Sequence, residues 1–161
     1  MTRLPVPAQW SWMELYQDGD DLVILNADCT AFGGDSDPED NGETACGYNT
    51  KGHPDLLGCA IPMRVDTLHS LCGSPIPHMP FGMFANGKLN PHGARVIVSD
   101  PATGRLTPPL PVVDLGPSGY TKHACDLTEA AARILTPGAS ARNFERTLTV
   151  RILGAAKFLA A

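Results

Sequence analysis

Val112-Val113-Asp114-Leu115-Gly116-Pro117, followed after a short linker by His123-Ala124-Cys125-Asp126-Leu127-Thr128-Glu129-Ala130-Ala131-Ala132, decides how this chain reads. Leu110 to Val113 is a largely apolar run with turn residues after it, which predicts a buried strand ending at Asp114. Gly116-Pro117-Ser118-Gly119 predicts a turn. Asp126 stands three residues before Glu129, the spacing of a capping box, and Leu127, Ala130, Ala131, Ile134 and Leu135 give a short helix an apolar stripe. Pro137-Gly138 ends that helix. The turn then brings a strand-end carboxylate and a helix-start carboxylate to one rim, an arrangement suited to acid and base chemistry on sugars. Asp126 is also a good N-cap whatever the protein does, whereas Asp114, before a Gly-Pro turn, makes no obvious cap.

A chain of 161 residues with 43% hydrophobic residues fits one domain with a substantial core. No segment approaches the roughly 20 apolar residues of a membrane helix, so no membrane partner is expected. The net charge of −5 hides an uneven spread: through residue 60 eleven Asp/Glu face two Lys/Arg, and the remainder holds six acids and ten bases. Those bases, Arg95, Arg105, Lys122, Arg133, Arg142, Arg146 and Arg151 among them, are scattered. Phosphate binding needs a clustered positive footprint, so nucleic acid is not expected as a partner. A neutral or cationic polymer fits the balance better.

The strand ending in Asp, the Gly/Pro turn, the linker and the Asp-Leu-Thr opening an Ala-rich helix resemble the double-psi β-barrel of expansins, of rare lipoprotein A-type lytic transglycosylases and of family-45 endoglucanases. A second stretch agrees. Cys29-Thr30-Ala31-Phe32-Gly33-Gly34, an acidic loop and then Thr44-Ala45-Cys46-Gly47-Tyr48 are similar to the first strand and the Ala-Cys-Gly-Tyr segment of expansins. Leu148-Thr149-Val150-Arg151-Ile152 would close the barrel. The resemblance covers residues 22–153 and implies a mainly β fold, a six-stranded double-psi β-barrel with one or two short helices. Residues 1–21 are then an N-terminal strap and 154–161 a C-terminal tail.

Carried over by position, the resemblance makes Asp114 the match to the strand-end Asp and Asp126 the match to the helix-start Asp, the place of the general acid in the endoglucanases. Thr30 matches a groove-lining threonine of expansins, and Tyr48 lies in the matching Ala-Cys-Gly-Tyr segment. Asp35 or Asp37 stands near the first strand, where the endoglucanases hold a catalytic base. The chain also departs from the pattern. Gly116 replaces an aromatic residue of expansins, Leu115 an arginine of the transglycosylases, Cys46-Gly47-Tyr48 their Ser-Gly-Glu and Cys59-Ala60-Ile61 their Ala-Ala-His.

In an inverting hydrolase two carboxylates lie about 6.5–9.5 Å apart, and in a retaining one about 5 Å. One of them must keep its proton near neutral pH, which an apolar surrounding achieves. Alternatively, one aspartate serves as acid and then base on a substrate that brings its own nucleophile, as peptidoglycan does in lytic cleavage.

His123, on the linker bordering the groove, has a pKa suited to a proton relay or substrate contact. His53, His69, His78 and His92 form no i, i+4 pair, and Gly-x-Ser-x-Gly is absent. The acidic loop from Gly33 to Gly42 fails the EF-hand register, with Asp40 where Gly belongs counting from Asp35 and Tyr48 where Glu belongs counting from Asp37. The five cysteines contain no C-x-x-C, so no structural zinc site is expected, and the expected site holds no metal and no cofactor. Their odd number leaves at least one free or paired between chains. Cys46, Cys59 and Cys72 fall in a loop-rich middle where a bridge would hold a small barrel, and secreted relatives commonly carry one.

Leu56 to Met63 reads as a strand, Val65 to Cys72 as a short helix or turn, and Ala94 to Val98 as a strand after a Pro/Gly-rich excursion over 74–93. Met79, Phe81, Met83 and Phe84 in that excursion read as core packing. Trp10, Trp12 and Tyr16 near the start suit packing against the barrel. The first residues show no signal-peptide pattern, although a cell-wall partner implies a secreted or cell-envelope location.

The expectation is a monomeric barrel acting on cell-wall polysaccharide, peptidoglycan or β-glucan, through Asp126 as proton donor and Asp114 as its partner charge. The alternatives are a non-catalytic expansin-like module that binds and loosens the wall, and a barrel used for protein interaction.

Overall fold

The computed structural model describes residues 1–34, 50–51, 53–62, 84–85, 88–89, 94–117 and 121–158. Its elements run β1 (Thr2–Arg3), β2 (Glu14–Asp18), β3 (Asp21–Phe32), β4 (Cys59–Ile61), β5 (Phe84–Ala85), β6 (Lys88–Leu89), β7 (Arg95–Ser99), β8 (Leu110–Leu115), β9 (Cys125–Thr128), α1 (Glu129–Leu135) and β10 (Glu145–Ile152). Hydrogen bonding links β3, β10, β7, β8, β4 and β9 in that order, and β9 pairs back onto β3. The described strands thus close a ring of six. A closed ring leaves no free sheet edge among its members.

β3 is the organising strand. Leu22 and Ile24 point into the core from its first half, and Ala27 and Cys29 from its second. A two-residue repeat cannot place 24 and 27 on one face. The parity changes at a bulge: Leu148 faces Ala27 but Val150 faces Ile24, so Leu25 and Asn26 together oppose Thr149. Asn26 takes φ 49 there, a left-handed conformation that Asn tolerates better than most residues. The bulge turns Cys29 inward and leaves Asp28 and Thr30 partly exposed.

The core gathers Trp10, Met13, Leu15, Leu22, Ile24, Ile61, Leu110 and Leu127, all essentially without solvent exposure. β2 pairs with β3 as an antiparallel neighbour outside the ring. Trp10, in a short 3-10 turn before β2, sits fully buried with its ring centroid 5.6 Å from that of Trp12. A second 3-10 turn, Ala155–Phe158, packs at the turn between β2 and β3, where Ala156 N donates to Asp20 O.

The helix begins later than its sequence indicates. Asp126 does not cap it: Asp126 lies within β9, paired with both β3 and β4. Thr128 is the N-cap, accepting from Ala131 N at 3.4 Å. Its hydroxyl also donates to Leu56 O and accepts from Gly58 N, tying α1 to the approach of β4. Glu129 is buried rather than reaching back as a capping-box partner; it accepts from Ala141 N and stands 3.8 Å from Arg133. Gly34, at φ +71, lies so close to Glu129 that a Cβ there would fall 2.0 Å from its carboxylate.

Cys29, Cys59 and Cys125 are buried thiols that form no disulfide. A bridge involving Cys59 is therefore absent, and Cys46 and Cys72 lie outside the described residues. None of the described helices is long and apolar enough to cross a membrane.

Candidate functional site

Strand register assembles the site. In β3 and β9, which run parallel, Thr30 pairs with Asp126. On the other side of β9, Asp126 pairs with Ala60 of β4, and Ala60 pairs with Asp114 of β8. Thr30 also pairs with Glu145 of β10. Directly paired residues share a sheet face, so Glu145, Thr30, Asp126, Ala60 and Asp114 form one row across five strands.

A second bulge sets the far end of this row. Cys59 pairs with Val112 but Ala60 pairs with Asp114, leaving Val113 as the extra residue. Bulges commonly re-aim a side chain beside functional sites. Here the bulge brings Asp114, rather than Val113, opposite Ala60. One strand separates the two aspartates, so their backbones stand two interstrand spacings apart, about 10 Å. Ala60 of β4 stands between them in register.

Asp126 accepts a hydrogen bond from the Thr30 hydroxyl. Its pKa is pushed up from 3.8 to about 6, first by burial. The Thr30 hydrogen bond opposes the rise, Cys125 adds to it, His123 opposes it, and the charge of Asp114 adds the smallest contribution. Near pH 6 this carboxyl divides between its acid and base forms.

Behind the row lies the opposite face of the same strands. Cys29 pairs with Cys125 one position before the Thr30–Asp126 pair. Contact with Cys125, then burial, raises the Cys29 thiol well above its ordinary range. These thiols are core residues and do not face the row.

At the β10 end, His123 Nε2 lies 3.4 Å from Asp28 Oδ2 and 3.3 Å from Glu145 Oε1. Burial raises the pKa of Asp28, and contact with Glu145 raises it further. The sequence-derived set is thus gathered in part: Thr30, Asp114 and Asp126 share the row, and His123 borders it. Asp35, Asp37 and Tyr48 lie outside the described residues. Sequence reasoning missed Asp28, Ala60 and Glu145. The alternation Asp28-Cys29-Thr30-Ala31 marks Asp28 as sharing a face with Thr30, but nothing local ties Glu145 to either.

No family model matches the chain, and no curated protein matches it. Among solved structures, the Streptomyces papain inhibitor is similar to this chain at 23% identity and a TM-score of 0.47, over 83% of this chain and 94% of that one.

Proposed function

We propose that the Thr30–Asp126–Ala60–Asp114 row is the floor of a glycan cleft in a double-psi β-barrel, and that the protein cleaves glycosidic bonds of cell-wall polysaccharide. The observation that carries this reading is Asp126: a carboxyl titrating at about 6, one strand removed from a second carboxylate on the same face. A general acid works best when its pKa lies near the working pH.

In the reaction, protonated Asp126 gives its proton to the glycosidic oxygen as the bond from the anomeric carbon to that oxygen breaks. Asp114 takes a proton from the water whose oxygen bonds to the anomeric carbon. The product is a free sugar hydroxyl on each side, and a proton returns from Asp114 to Asp126 through solvent. The spacing of two strands favours this inverting arrangement over a retaining pair near 5 Å. Thr30 steadies Asp126 and keeps its pKa from rising further. A secreted or cell-envelope location follows from such a substrate.

A binding-only module is the second reading. Gly116, at φ +122, stands where an aromatic platform would favour flat glycan binding, so the row offers hydrogen-bonding groups and charge rather than stacking. Product analysis by mass spectrometry after incubation with peptidoglycan and with soluble β-glucans separates the two. Oligomers with free reducing ends, released by the wild type and lost in Asp126→Asn, support this hydrolysis, whereas anhydro-muropeptides would show cleavage without water and replace the role given to Asp114. Sedimentation with a glycan without release from any of them leaves a binding module. Neither release nor sedimentation removes the glycan and favours a protein partner.

A further inference from the structure

We propose that Asp28, His123 and Glu145 form a binding site for a zinc-class divalent cation at the β10 end of the carboxylate row. The three donor atoms lie within 4.8 Å of one another. The two distances from the imidazole nitrogen are 3.3 and 3.4 Å. A tetrahedral site with bonds of about 2.0–2.1 Å to nitrogen and oxygen has ligand-to-ligand edges of about 3.3–3.4 Å. An octahedral site with the same bonds has edges of about 2.8–3.0 Å, shorter than either distance.

Two of the positions are held by strands, and the third lies just before β9. Asp28 and Glu145 lie on hydrogen-bonded neighbouring strands, two residues apart in register. His123 is brought against them because Ala124 N donates to Asp28 O at 2.8 Å and His123 N donates to Thr121 Oγ1 at 3.3 Å. Three chain segments therefore present one imidazole and two carboxylates before any ligand arrives.

Charge points the same way. Two carboxylates sit in contact, and among the described residues their ion-pair partner is the single imidazole. Arg146, the nearest arginine in sequence, is committed to Asp100 and Thr136 instead. A dication answers both carboxylates and leaves His123 neutral as a ligand. Imidazole with carboxylates suits zinc and its first-row neighbours, while calcium and magnesium prefer all-oxygen sites.

Three protein ligands leave a fourth tetrahedral position for water or for an oxygen of a bound molecule. Thr30 stands between this site and Asp126, in register with both Glu145 and Asp126. The cation would thus anchor an oxygen donor beside the row. This inference stands apart from glycan cleavage, because zinc binding is measured with no glycan present.

The test is a zinc titration of the metal-free protein in competition with a chromogenic chelator, repeated on Asp28→Asn, His123→Gln and Glu145→Gln. Melting curves in chelator check that each variant is folded. Loss of groups that merely support ligands already weakens zinc sites roughly 10- to 100-fold, so loss of a ligand is expected to weaken this one by about 100-fold or more. Cobalt substitution is expected to give the strong visible bands of a tetrahedral ion without a thiolate charge-transfer band. The proposal fails if the wild type binds no zinc, if all folded variants keep wild-type affinity, or if cobalt reports thiolate ligands.

Discussion

Replacing Asp126 by Asn gives the sharpest test of the site's electrostatics, because its effect on stability has a definite sign and pH window. The folded-state pKa of about 6 exceeds the ordinary carboxylate value of 3.8. Between those values the folded protein keeps the proton and the unfolded chain has released it. Unfolding then releases a proton, so stability falls as pH rises through this window. Asp126 leaves stability unpenalised below about 3.8, and the loss is complete once pH has passed about 6. The gap corresponds to about 3 kcal/mol at full effect. Asn cannot ionise, yet its side-chain oxygen can still accept from Thr30. Urea denaturation of wild type and Asp126→Asn from pH 3.5 to 8 reads the difference directly. The variant is expected to gain up to about 3 kcal/mol relative to wild type between pH 4 and 7. Subtracting the curves removes titrations common to both proteins. Parallel curves across that range would refute a buried, raised carboxyl at Asp126 and, with it, the proton donor.

Thr30→Val removes a hydrogen bond that favours the charged form of Asp126, so the Asp126 pKa should move above 6; carboxyl carbon chemical shifts followed against pH measure it, and any downward movement contradicts the arrangement. If cleavage is observed, kcat/KM should fall as Asp126 loses its proton, and Thr30→Val should carry that limb to higher pH. Arg146→Ala strands Asp100, which is 1% exposed and 2.6 Å from the guanidinium; a loss of about 3 kcal/mol is expected in chemical denaturation. Arg151→Ala, whose partners Asp18 and Asp21 are 43% and 25% exposed, should remain close to wild type in the same assay. Thr128→Val removes the cap of α1 and both links to the approach of β4, and should cost about 2 kcal/mol, most of it restored by Thr128→Ser.

The sequence made several strands legible because their residues alternate or run apolar on a short scale. Leu110 to Asp114, Ala94 to Val98 and the closing strand through Ile152 all emerge close to where they were expected. The same local logic misread Asp126. Its spacing to Glu129 imitates a capping box, but Cys125 and Leu127 are buried on the opposite face to it, and two neighbouring strands claim the segment. Tertiary pairing therefore overrode a local helix signal, and Thr128 capped the helix instead. The meeting of Asp28 with Glu145 is illegible for a different reason: alternation puts Asp28 on the face of Thr30, but its proximity to Glu145 depends on long-range register between β3 and β10, which no local pattern encodes.

Both ends of the acidic row depend on one extra residue in a strand. Without the bulge at Leu25 and Asn26, the inward parity of Leu22 and Ile24 would continue, turning Asp28 and Thr30 into the core and Cys29 outward. Without the bulge at Val113, the apolar Val113 rather than Asp114 would face Ala60. In each case the inserted residue converts a strand that begins by building the core into one that ends by presenting polar groups. The closed ring then prevents relaxation, since sliding either strand would break pairings on both of its sides. The row is held by the backbone that buries the core, and burial in that setting is the first cause of the raised pKa of Asp126, with the charge of Asp114 a minor addition. A fold that needed only stability would not benefit from burying this carboxyl, because an ionised buried carboxylate costs stability at neutral pH. The row is therefore where the structure gives up stability, and where a role in binding or proton transfer is best sought.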